Sequence, residues 1–165
     1  MKLTPTASQT VGPFFSIGLR SLYQNAAAIN SASTVAINGT VFDGDGKPIP
    51  DAVLEFWGAQ NFARVPTLED GTFSVVLETP QKQNVQSGKN SVDYFDVLVF
   101  MRGLLKPVYT RVYLSDASAL TSEPSLKAVP TERVRTLAAK STKAAAEYEW
   151  NIFMQGENET VFFEY

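Results

Sequence analysis

Most of the chain is written in short segments whose apolar residues recur at every second position or run together, each closed by Gly, Pro, Asn or Asp. Alternate residues share one face of an extended strand, so such segments bury one side of a sheet and lack the 3.6-residue stripe of a helix. Residues 34–42 (TVAINGTVF), 52–58 (AVLEFWG), 72–78 (TFSVVLE), 94–101 (YFDVLVFM), 108–114 (VYTRVYL) and 148–155 (YEWNIFMQ) read as strands. The stretches 43–48 (DGDGKP) and 68–71 (LEDG) have the residues of tight turns. Short strands at this spacing predict an all-β chain, an antiparallel β-sandwich with little helix.

Two segments carry competing signals. Thr131-Glu132-Arg133 follow Pro130 and predict a short helix with Thr131 as its cap. The alanines between 138 and 146 favour helix by propensity, yet Thr136, Ser141 and Thr142 interrupt them and no apolar stripe is present. A strand hairpin through 136–140, turning at Ser141-Thr142-Lys143 and returning at Tyr148, is the better reading. The Asn-, Gln- and Ser-rich stretches 24–33 and 80–90 predict loops. The chain is expected to form one domain over 1–165, an N-terminal arm and loop over 1–33 followed by the sandwich over 34–165.

Composition removes several classes of function. A net charge of −3 provides no basic field for a phosphate backbone, which argues against a nucleic-acid partner. The most apolar run, Val97-Leu98-Val99-Phe100-Met101, is too short to cross a bilayer. The first residues, Met1-Lys2-Leu3-Thr4-Pro5, lack the apolar run of a signal peptide. A soluble, cytoplasmic chain with no membrane contact is therefore expected. There is no histidine and no cysteine. The usual zinc, copper and iron ligands and the commonest neutral-pH base are thus missing, and no serine has an imidazole to activate it. No catalytic residue is assigned to the chain.

Four segments in order carry a more specific signal. They are Ser8-Gln9-Thr10-Val11-Gly12-Pro13-Phe14-Phe15; residues 39–52 (GTVFDGDGKPIPDA) running into Leu54-Glu55-Phe56-Trp57; Phe100-Met101-Arg102-Gly103 with residues 110–116 (TRVYLSD); and residues 155–164 (QGENETVFFE). Together they resemble the intradiol ring-cleaving dioxygenases, and within them the α chains of protocatechuate 3,4-dioxygenase. The resemblance implies a β-sandwich protomer paired with a β chain and assembled into larger oligomers. It implies ferric iron in that partner β chain, held by two tyrosines and two histidines, and no cofactor in this chain. By the same resemblance the partner's iron would bind the catecholate oxygens of an aromatic acid and support insertion of dioxygen between the two hydroxyl-bearing carbons, to give a carboxymuconate.

This chain departs from such an iron site at every ligand. No tyrosine lies between Tyr23 and Tyr94, so the segment after Trp57 and the loop after Thr79-Pro80 offer none, and the segment after Trp57 reads as shortened. The histidine pair falls on Tyr94 and Asp96, which are read as degenerate ligand positions rather than a metal site. By the same resemblance Thr10, Gly12, Pro13, Phe14 and Arg102 line the partner's substrate pocket. Gly12 would admit close backbone approach to a flat ring, and Arg102 would pair with the substrate carboxylate. Phe14 stands where the family usually has tyrosine. The plainer alternatives are a packing arm for the N-terminal residues and a structural ion pair for Arg102. Trp57 reads as core, and Lys106, Arg111, Glu157 and Glu159 as solvated or ion-paired surface. The expected function is a non-catalytic α-subunit-like component of a ring-cleaving dioxygenase. The alternatives are a self-associating sandwich serving as a binding or scaffold module and, more remotely, an enzyme with a new site built from Tyr94, Asp96 and Arg102.

Overall fold

The structure, a computed structural model, describes residues 6–7, 9–10, 12, 14–24, 34–58, 62–80 and 92–164. Its strands are β1 (Thr34–Phe42), β2 (Val53–Trp57), β3 (Phe62–Pro66), β4 (Thr72–Glu78), β5 (Tyr94–Phe100), β6 (Val108–Tyr113), β7 (Lys140–Ser141), β8 (Glu147–Glu149) and β9 (Ile152–Phe153). They form two sheets. The first has the order β4-β1-β8-β7 with β9 also beside β1, and the second the order β3-β2-β5-β6. The expected sandwich is present, and the second sheet is antiparallel throughout.

Alternation along each strand builds the core. Val35, Ile37 and Val41 of β1 and Phe73, Val75 and Leu77 of β4 meet Leu54, Phe56, Ala63, Val65, Phe95, Val97, Val99 and Val112 of the second sheet, all of them buried. Phe56 and Phe73 pack with ring centroids 6.1 Å apart. Full burial of each large apolar side chain contributes roughly 1.5–3 kcal/mol, so this layer is the main source of stability. A smaller cluster of Tyr113, Leu120, Leu126, Val134, Leu137 and Val161 lies on the other side of β6. It forms under α2 (Ala117–Leu120), a 3-10 turn at Pro124–Leu126, α3 (Thr131–Val134) and a second 3-10 turn at Arg135–Leu137. Among the described residues no helix is long and apolar enough to cross a membrane.

Several local expectations are corrected. β3 was not anticipated, although Phe62-Ala63-Arg64-Val65 alternates and sends Ala63 and Val65 inward. The single last strand is two, β8 and β9, and both run parallel to β1. They separate where buried Trp150 turns inward and the Asn151 side chain accepts the Thr40 backbone N–H at 2.9 Å. The hairpin over 136–148 forms as β7 and β8, with Lys140 opposite Glu149 and Ser141 opposite Tyr148. It starts only at Lys140 because residues 135–137 are wound as a 3-10 turn. Pro130, not Thr131, stands at the cap position of α3. A short helix, α1 (Phe14–Gly18), and a 3-10 turn at Arg20–Leu22 occupy the arm. Gln24 exchanges two backbone hydrogen bonds of 2.9 Å with Arg64, while the rest of the two expected loops, apart from Pro80, lies outside the described residues.

Gly39 sits where β1 passes from β8 to β9. A Cβ there would lie 1.8 Å from the Trp150 carbonyl oxygen and 2.9 Å from the Phe73 ring. Backbone on one side and a packed ring on the other leave no route of escape. Gly39→Ala is expected to cost about 3 kcal/mol, the upper end of overpacking penalties, and urea denaturation of the variant checks it.

Candidate functional site

The register of the second sheet brings the sequence-predicted positions Tyr94 and Asp96 to its outer face. Phe95, Val97 and Val99 point into the core, so Tyr94, Asp96 and Leu98 point away from it. Across β6, Tyr113, Arg111 and Tyr109 stand opposite them in turn, and on β2 Trp57 stands opposite Asp96. Trp57, Asp96 and Arg111 therefore form one row across three strands.

Arg111 is the hub of this face. Its Nε donates to Asp96 Oδ1 at 2.9 Å and to the Tyr109 hydroxyl oxygen at 2.9 Å. The Tyr109 hydroxyl in turn donates to Asp96 Oδ1. The guanidinium carbon lies 4.7 Å from the Tyr94 ring centroid, 5.5 Å from that of Phe163 and 5.8 Å from that of Tyr109. Both members of the ion pair are partly shielded, Arg111 with 22% and Asp96 with 39% of its side chain exposed. Arg111 is thus neither loose surface nor a simple pair. The sequence signal was present in Val108-Tyr109-Thr110-Arg111-Val112-Tyr113, whose alternation puts Tyr109, Arg111 and Tyr113 on one face.

The electrostatics keep both phenols protonated. Burial raises the pKa of Tyr94, opposed by the Arg111 charge and reinforced by that of Asp96. Burial, then the hydrogen bond to Asp96, pushes Tyr109 up to about 12. A ferric ion demands hard, anionic, convergent donors. Asp96 supplies an anion, but the phenols beside it hold their protons and a guanidinium stands among them. Among the described residues no three His, Cys, Asp or Glu side chains gather as a metal-binding group. The donor set does not fit a ferric ion.

Beside this cluster, Glu55 is buried and accepts from Arg64 Nε at 2.8 Å, from Arg64 Nη2 at 2.6 Å and from Trp57 Nε1 at 3.2 Å. Trp57 packs on Phe62 at 4.5 Å and is 46% exposed, so it belongs to the outer face and not to the core. Its indole N–H is held by Glu55 while nearly half of the residue remains exposed.

The remaining candidates lie elsewhere. Thr10 and Gly12 are exposed, Pro13 lies outside the described residues, and Phe14 opens α1 with 80% of its surface exposed. Arg102 follows β5 and pairs through Nε with Asp51 Oδ2 at 3.0 Å, its side chain 55% exposed. β5 ends at Phe100, about 13 Å along the strand from Asp96, and Arg102 lies in the turn beyond it with Asp51 as its partner, so Tyr94, Asp96 and Arg102 do not share one site. Lys106 and Glu157 are exposed, and Glu159 pairs with Arg133 at 3.0 Å.

The raised Tyr109 pKa has a signed consequence. The folded state holds this proton more tightly than the unfolded chain, where tyrosine titrates near 10. The resulting stability is fully present below pH 10 and is lost as pH rises through about 12. Urea midpoints are expected to fall across that window, and the fall should be shallower in Tyr109→Phe.

The chain has relatives among known proteins. No family model matches the chain. It is 37% identical to the protocatechuate 3,4-dioxygenase alpha chain of Burkholderia cepacia over 198 aligned positions, covering 98% of each chain. It is 28% identical to the alpha chain of the same name from Pseudomonas putida, covering 99% of this chain and 98% of that one. Both alignments run longer than this 165-residue chain, so the relatives carry extra residues. Among solved structures, the dioxygenase domain of a dioxygenase–carbohydrate-binding fusion from Streptomyces sp. SirexAA-E superposes with a TM-score of 0.56 at 15% identity, covering 82% of this chain and 85% of that one. Catechol 1,2-dioxygenase of Acinetobacter radioresistens gives the same TM-score and identity over 81% of this chain and 56% of that one. These structures share the fold, and the sequence relationship is narrower: the chain belongs to the family of protocatechuate 3,4-dioxygenase alpha chains, components of the intradiol ring-cleaving dioxygenases.

Proposed function

We propose that the chain is a non-catalytic subunit that pairs with an iron-bearing β-chain-like partner and completes that partner's pocket for an aromatic acid. In this reading Thr10, Gly12, Pro13 and Phe14 form the wall presented to the partner, and Arg102 faces the substrate carboxylate. The ferric iron belongs to the partner, and the pair works in the cytoplasm. The observation that carries the reading is the uncovered apolar arm. Phe14, Ile17 and Leu22, all on α1 and the turn that follows, are 80%, 50% and 54% exposed. Large apolar side chains gathered on one ordered segment are a feature of surfaces that another chain covers. Arg102 suits the role given to it, since Asp51 anchors it through Nε while 55% of its side chain is exposed.

The same arm would fit a second copy of the chain, which is the scaffold reading. Co-expression with a β chain of the family, followed by size-exclusion chromatography, separates the two. A stable mixed complex is expected, and Ile17→Glu should dissociate it. A chain that forms only homo-oligomers under these conditions would sink the subunit reading. Within the mixed complex, Arg102→Ala is expected to raise KM for an aromatic carboxylate substrate about tenfold or more, the loss of one charge-assisted pair, with a smaller effect on kcat. Steady-state oxygen uptake measures both constants.

A further inference from the structure

We propose that Arg111 is the resident cation of the outer-face cluster, taking among the oxygen atoms of Asp96 and Tyr109 and the ring of Tyr94 the place a metal ion would take, so that the cluster is closed and metal-free. Three features of the geometry converge on this assignment. First, strand register sets Arg111 directly opposite Asp96, so the charges meet without any loop having to move. Second, a single guanidinium nitrogen, Nε, serves both Asp96 and the Tyr109 hydroxyl, while Tyr109 donates to the same carboxylate oxygen. The triangle leaves that oxygen already engaged by two donors. Third, the flat cation lies against Tyr94 and Phe163, whose ring faces attract it.

A hard cation entering this face would meet a fixed positive charge and a carboxylate oxygen already engaged by two donors. It would have to expel Arg111 from an aromatic bracket to bind. The cluster also performs the fastening that a metal centre performs elsewhere. It joins β5 to β6 and, through Phe163, to the C-terminal segment, whose backbone N–H at Phe163 donates to the Tyr109 carbonyl at 2.8 Å. The chain therefore lacks an affinity for iron for a positive reason, an occupied charge site, and not only because tyrosine and histidine ligands are missing from its sequence. In a mixed assembly it would leave ferric iron to the other chain.

The test uses the purified full-length chain. Wild type, Arg111→Met, Asp96→Asn and the double variant are compared by urea denaturation, and wild type and Asp96→Asn are also incubated with ferric nitrilotriacetate, desalted and assayed for iron and visible absorbance. Wild type is expected to retain fewer than about one iron per ten chains and to show no tyrosinate charge-transfer band, the behaviour of a site without free anionic donors. Arg111→Met is expected to raise the unfolding equilibrium constant about tenfold when Asp96 is present and threefold or less when residue 96 is Asn, the coupling of a shielded charge pair. Should Arg111→Met not fold, Arg111→Gln passes through the same cycle, because it keeps a polar side chain and loses the charge. Stoichiometric iron in wild type that disappears in Asp96→Asn would overturn the proposal. So would equal effects of the Arg111 substitution in both backgrounds. These readouts come from the chain alone, so a failure to pair with a β chain would overturn the proposed function without touching this inference.

Discussion

Gly39 and Trp150 meet backbone to backbone at the centre of the first sheet, and most of the architecture depends on that approach. β1 has β4 on one side and β8 and β9 in succession on the other. The changeover needs a residue without a side chain on β1 and one that turns inward on the returning segment. Trp150 meets the second need. Its backbone N–H donates to the Asn38 carbonyl at 2.8 Å, and its indole N–H donates to the Thr136 carbonyl at 2.9 Å. One residue thus ties the middle of the sandwich to the linker of short helices that covers the outer side of β6. The same linker and the C-terminal segment wall in the Tyr94–Arg111 cluster, so the site face inherits its shape from a contact in the opposite sheet.

The outer face of the second sheet holds two ion pairs in different settings. Glu55 and Arg64 are joined by two short bonds with Glu55 almost fully buried, and Trp57 takes up the second carboxylate oxygen. Burying a charge this far is tolerable only when its acceptors are satisfied, which explains why Glu55, Trp57 and Arg64 act as a set. Asp96 and Arg111 are more open and use aromatic rings in place of burial. Asp51 and Arg102 are a third case, at the end of β5, where Asp51 has positive φ and one carboxylate oxygen is buried without a partner.

Much of the fold was legible because burial on one side of a strand leaves a period-two trace. β1 and β4 have the bounds that alternation gives, and β5 and β6 differ by a residue at the end. What alternation does not carry is partner direction. Nothing in Tyr148 to Gln155 tells that the segment runs parallel to β1, or that Asn151 replaces a ladder bond with its side chain. β3 is short and ends on Pro66, so its pattern was too brief to stand out. Trp57 was misread because a large aromatic in an apolar strand usually faces inward; here it falls on the same side as Glu55. At the site, the chemistry of Tyr94 and Asp96 was visible, but their partners depend on register across a hairpin. Arg111 became their neighbour only once Asp96 was placed opposite it.

The chain's two tryptophans, Trp57 and Trp150, stand in opposite surroundings. One is 46% exposed on the outer face of the second sheet, and the other is 3% exposed inside the first. Indole emission shifts to the red with water contact, so Trp57 is expected to emit at longer wavelength than Trp150 and to be the more open to a soluble quencher. Trp57, one strand from Asp96, reports whatever settles on the outer face. Trp150 reports whether the first sheet is closed. One indole is thus placed to report occupancy of a surface and the other integrity of the fold.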